Sequence, residues 1–138
     1  MRVAAMLRGT GREPPHAGIL VVDDDPCMRE LLRLHLSNAG YGVRTAEDAI
    51  VAGHMLLEAV PRLMIVDVNM PYMTGLEFVA AVRADATLPE IPVIFLTSDE
   101  GSFARGLSLG ASAYLLKPVR ADRLLALVAE QISIPVAA

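Results

Sequence analysis

One cysteine, Cys27, stands in 138 residues, so no disulfide can form within the chain, and a reducing compartment fits it. Tryptophan is absent and aromatic residues make up only 4% of the sequence, which leaves the core to Val, Leu, Ile and Ala. Positive charge is scarce too: 12 Lys and Arg face 16 Asp and Glu, and the net charge of -4 removes the electrostatic basis for direct binding to nucleic acid or an anionic membrane. No stretch approaches the roughly 20 apolar residues of a membrane span. The apolar run at residues 3–7, with Arg2, Arg8 and Arg12 around it, is too short for the core of a signal peptide. A cytoplasmic protein with no membrane partner is therefore expected. Gly9 and Gly11 do not belong to a phosphate loop, because no strand precedes them and Pro14 stands three places after Gly11.

What is present is a chain 54% apolar, long enough to bury a core without disulfide or metal staples. Residues 1–17, with Gly9, Gly11 and Pro14-Pro15, read as a flexible leader. Residues 18–132 read as one domain without internal repeats, and 133–138 as a short tail. From Ile19 onward, apolar runs alternate with helical periods, the βαβ pattern of a parallel sheet covered on both faces. Asp25-Pro26 opens a helix over about 26–38, with Leu31, Leu32 and His35 near one face and Gly40 ending it. A strand at 42–45, helices at 47–59 and 76–84, and a fourth helix at 102–109 follow, the last weakened by Gly106 by about 1 kcal/mol relative to Ala. Leu124, Leu125, Leu127, Val128 and Ile132 mark a fifth.

Four of the apolar runs end in a polar group: residues 19–22 in Asp23-Asp24, 63–66 in Asp67, 93–96 in Thr97 and 113–116 in Lys117. If these runs are parallel strands, their carboxyl ends share one edge of the sheet, where open α/β folds bind ligands. Carboxylates gathered there repel one another, and a hard cation with a lysine opposite resolves the repulsion. A few oxygen ligands, with the rest of the shell left to water and phosphate, is the coordination style of magnesium. Asp67 would be a nucleophile, and the implied chemistry is phosphoryl transfer to it.

In the segments ILVVDDD, LMIVDVNMPYMTGLE, PVIFLTS and GASAYLLKP, in that order, the chain resembles a response-regulator receiver domain. The resemblance implies a single doubly wound domain of five parallel strands in the order 2-1-3-4-5, a flavodoxin-like α/β fold. It implies phosphorylation of Asp67 by a sensor histidine kinase or a histidine phosphotransfer protein, followed by a conformational relay to a downstream protein. Magnesium would be held by Asp23, Asp24, Asp67 and the backbone carbonyl of Asn69. Thr97 and Lys117 would contact the phosphoryl oxygens, Lys117-Pro118 would be cis, and Tyr114 would move with Thr97 as the switch. The face of the fourth helix, fifth strand and fifth helix would address partners or a second copy. Asn69 and Asp99, polar and not bulky, imply comparatively fast loss of the phosphate.

Three features depart from the family's pattern. Val119 follows the Lys-Pro pair where Phe is frequent, Ser98 follows Thr97 where Ala is common, and the spacing from Thr97 to Gly110 is about two residues short, which implies a short or irregular fourth helix. The segment 99–109 is expected to gain order on phosphorylation. Two readings compete with the receiver. An aspartate-nucleophile phosphatase of the haloacid dehalogenase type needs an Asp where Asn69 stands, to act as acid and base. A receiver-like binding module that never sees phosphate has no need of Asp23, Asp24, Asp67, Thr97 and Lys117 together. Cys27 is expected to pack in the first turn of its helix, Met70 and Met73 to pack in their loop, and His35 and His54, on different helices, not to bind metal.

Overall fold

The computed structural model describes residues 18–98 and 103–132, leaving aside the side chains of 103 and 104. The expected leader and tail, and the expectations placed on Asp99 and Gly101, lie outside the described residues. The elements run β1 (Ile19–Val22), α1 (Pro26–Asn38), β2 (Val43–Ala46), α2 (Ala49–Glu58), β3 (Leu63–Asp67), α3 (Gly75–Ala84), β4 (Val93–Thr97), α4 (Phe103–Ser108), β5 (Ala113–Leu116) and α5 (Ala121–Gln131). All strand pairs are parallel and the sheet order is β2-β1-β3-β4-β5, as the resemblance implied.

Successive strand residues serve opposite layers. Leu20, Val22, Met64, Val66, Val93 and Phe95 pack with α2 and α3, while Ile19, Val21, Leu63, Ile65, Ile94, Leu96 and Leu115 pack with α1 and α5. Both faces of β1, β3 and β4 are thus buried, which explains why these strands read as unbroken aliphatic runs rather than alternating ones.

Local chemistry sets the helix ends. Asp25 accepts a hydrogen bond from the Cys27 amide at 2.9 Å, Pro26 fills the first helical turn, and Gly40, at φ 101, lets the chain leave α1 in the left-handed region. Asp48 accepts from the Val51 amide, which fixes the start of α2 two residues later than the apolar period suggests. At its other end, Arg44 donates to the carbonyls of Met55 and Ala59 at 3.3 and 2.8 Å. Thr74 and Glu77 form a capping box at α3. The buried face of α1 is Leu32 and Leu36, not the trio expected: Leu31 is exposed and His35 half-buried, because the true period falls one residue further on. Cys27 is exposed rather than packed. No described helix is long and apolar enough to cross a membrane.

Candidate functional site

Register carries the polar strand ends to one edge. Val22 is level with Val66, so Asp23 and Asp67 stand side by side; Asp67 is level with Leu96, and Thr97 with Leu116, which places Thr97 and Lys117 beside them. Asp23, Asp67 and Thr97 are the buried polar residues of the described chain. Lys117 Nζ lies 3.1 Å from Asp67 Oδ2 and 3.4 Å from Asp23 Oδ2, joining the two carboxylates. Its main-chain amide donates to the Thr97 carbonyl at 2.9 Å, tying the last residues of β4 and β5 together. The Lys117-Pro118 bond is cis, as expected.

The backbone holds the remaining carboxylate oxygens. Asp67 Oδ1 accepts from the Asn69 amide at 3.1 Å, and Asp23 Oδ1 from the Asp25 amide at 2.9 Å. Asp23 Oδ2 is buried without a well-formed hydrogen bond, its contact being the ion pair with Lys117. Burial, and to a smaller degree the charge of Asp67, push the Asp23 carboxyl up to about 6 against the pull of the Asp25 amide and Lys117. Burial alone would lower Lys117, but Asp23 and Asp67 outweigh it and raise the ammonium above its ordinary value.

Asp24 is exposed, yet one oxygen from each of Asp23, Asp24 and Asp67 lies within 4.8 Å of the others. The donors are all hard oxygens, and a buried one lacks a hydrogen bond, so the residues present fit a divalent cation of the magnesium or calcium kind. No further cluster of three or more such ligands occurs among the described residues, and His35 and His54 belong to none.

Three supporting residues were not visible in the sequence pattern. Arg29 donates to the Asp23 main-chain carbonyl at 2.8 Å, bracing the acidic turn from α1. Gly75 begins α3 so close to Asp67 that a Cβ there would meet the Asp67 carbonyl. Gly106 has the larger consequence. Its missing side chain is where the Tyr114 hydroxyl lies, so the residue that appeared to weaken α4 is what allows the ring to seat against it. Tyr114 also stacks on Phe95, with ring centroids 5.5 Å apart, and burial raises its phenol above the ordinary value despite a hydrogen bond with the Gly106 backbone. The described part of α4 covers six residues, and the residues that lead into it lie outside the described ones.

Gly106→Ala is expected to turn the Tyr114 ring away from α4 and to lower stability by about 1–2 kcal/mol, overpacking outweighing the gain in helix propensity. Urea denaturation and the ring proton shifts of Tyr114 measure this. Unchanged shifts would show that the ring does not depend on the glycine.

The response regulator receiver domain model matches residues 19–129. Response regulator MprA of Mycobacterium avium (strain 104) is 41% identical over 110 residues, 78% of this chain and 47% of that protein. MprA of Mycobacterium tuberculosis (strain ATCC 25618 / H37Rv) gives the same identity and coverage. The chain therefore spans about half the length of the curated relatives it matches. Among solved structures, chemotaxis protein CheY4 of Vibrio cholerae is 35% identical at a TM-score of 0.78, covering 83% of this chain and 98% of its own. The receiver domain of NtrX from Brucella abortus is 30% identical at a TM-score of 0.74, covering 85% and 99%.

Proposed function

Because the chain belongs to the response regulator receiver family, we propose that Asp67 accepts the phosphoryl group and that residues 18–132 form the complete receiver unit, between a leader and a tail. A receiver is a phosphorylation switch rather than a metabolic enzyme. The observation that carries the assignment is the Asp67 carboxylate at the end of β3, bonded to Lys117 at 3.1 Å and flanked by Asp23 and Asp24.

In the reaction, an Asp67 oxygen forms a bond to phosphorus as the bond from phosphorus to the donor's imidazole nitrogen breaks, the electron pair leaving with the nitrogen. Lys117 and the Thr97 hydroxyl would meet the charge on the phosphoryl oxygens. Asp23, Asp24, Asp67 and the Asn69 carbonyl would hold magnesium, which when bound offsets the charge of the acidic pocket and of the phosphoryl group. The donor is a sensor histidine kinase or a phosphotransfer protein of the cytoplasm. Thr97 and Tyr114 would relay the change toward α4 and β5, where Leu107 and Leu116 are exposed for a partner or a second copy. The phosphatase reading has no support at residue 69, where the acid-base position holds Asn.

Incubation with acetyl phosphate and magnesium is expected to add one phosphoryl group to the wild-type chain by intact mass, and none in EDTA. Asp67→Ala should stay unlabelled. Labelling of that variant to the wild-type level would overturn the assignment, and failure of the wild type to label would favour the binding module that never sees phosphate. Replacing Asn69 by Arg should slow loss of the label by obstructing the attacking water. An unchanged decay would place control of that water elsewhere.

A further inference from the structure

The layer of α2 and α3 carries an apolar groove of about 530 Å³ that the phosphoacceptor site does not use. Ile50, Leu57 and Tyr72 on its walls are 58%, 80% and 84% exposed, and Met73, expected to pack in its loop, lies on its rim. Gly53 lines it from the middle of α2 with open space where a side chain would be. Tyr72 sits at φ 68 inside a tight turn closed by the Met73 amide on the Pro71 carbonyl, a conformation that costs a non-glycine residue about 1–3 kcal/mol. An aromatic ring is thus held, at a cost in strain, where no described residue covers it.

We infer that this groove binds the chain's own amino-terminal segment, residues 2–8, Arg-Val-Ala-Ala-Met-Leu-Arg. Three observations select this occupant. The first is reach. Gly18 accepts through its carbonyl from the Arg62 amide at 2.8 Å, a few residues past the end of α2, so the point from which residues 1–17 extend is tied to the end of the helix whose Leu57 lines the groove. Residues 8–17 extended would span about 33 Å, against about 15 Å for the ten residues of α2.

The second is shape chemistry. Val3, Met6 and Leu7 are spaced i, i+3 and i+4, which gives a helix one continuous apolar edge, the kind of ligand a groove between two helices takes. The third is charge. Arg2 and Arg8 flank that edge, while Asp85 lines the groove and Glu58 is exposed beside Leu57. The family match begins only at residue 19, so the segment is an addition to the receiver fold rather than part of it. The inference is independent of the role assigned to Asp67.

The test uses the full chain with Cys27→Ser and Ala5→Cys, a nitroxide on the new thiol, and amide signals of ¹⁵N-labelled protein. Intensity losses are expected along α2 and around Asp85, and not on α1 or α5. Gly53→Leu, which fills open space within the groove, should restore those signals. Absent or evenly spread losses, or losses that survive Gly53→Leu, would overturn the inference. A mixture of nitroxide-bearing unlabelled chains with ¹⁵N chains lacking the nitroxide should show no losses; losses there would overturn it in favour of a second copy as occupant.

Discussion

Asp23→Asn is expected to abolish magnesium-dependent phosphorylation and at the same time to make the cation-free protein more stable by about 3 kcal/mol at pH 7–8. The gain follows from the raised carboxyl. Asp23 titrates at about 6 in the folded chain against 3.8 for an ordinary Asp, so the folded state binds its proton more tightly than the unfolded state does. Between those values the folded chain carries the extra proton, and stability falls as pH rises. The penalty is absent below about pH 4 and complete above about pH 7, where a shift of this size corresponds to about 3 kcal/mol. Asparagine keeps the acceptor for the Asp25 amide without the charge. Urea denaturation in EDTA should show wild type and variant converging near pH 4 and diverging toward pH 8. A difference independent of pH would mean that the carboxylate's charge is not the cause.

Removing Lys117 should act in the opposite direction. Asp23 and Asp67 are buried, and Lys117 is the cation that contacts both. Breaking a buried ion pair by deleting one partner typically costs about 3–5 kcal/mol, because the charges left behind keep their desolvation without compensation. For Lys117→Ala, a loss of about 3 kcal/mol is expected at pH 7.5 in EDTA. The loss should shrink at pH 5, where Asp23 takes up a proton, and magnesium should recover much of it by supplying a cation to the same carboxylates. The variant's phosphorylation should remain poor even when magnesium has restored the fold, since the ammonium for the phosphoryl oxygens is gone. Equal stability in EDTA and magnesium would contradict this account.

The aliphatic runs that end in Asp23, Asp67 and Thr97 were readable as strands because both faces of the sheet are buried there, and the half-buried edge run that ends in Lys117 because it too stops abruptly in a polar group. Register then brought the four together without further assumption. Element ends were less legible. The start of α2 depends on which carboxylate caps it, and Asp48 rather than the apolar period decides. The face of α1 moved by one residue because its apolar positions, Leu31, Leu32, Leu34 and Leu36, admit two helical stripes.

Gly106 was misread for a physical reason. Helix propensity describes an isolated helix, and this glycine's value lies in what Tyr114, from β5, places against it. Arg29 was missed because it contacts a main-chain carbonyl, which leaves no pattern in sequence. Lys117 also stands out in composition: it is the only lysine in the chain, the other Lys and Arg positions all being arginine.

That composition gives the site an unusual chemical address. Reagents that acylate primary amines meet a single side-chain target in this protein, and it is the ammonium lying between Asp23 and Asp67. Acylation there removes the charge that joins two buried carboxylates, so the modified fraction of side chains equals the fraction of disabled sites. Coupling the protein to a surface through its lysine would inactivate the molecules it captures, whereas attachment through exposed Cys27 leaves the ammonium in place.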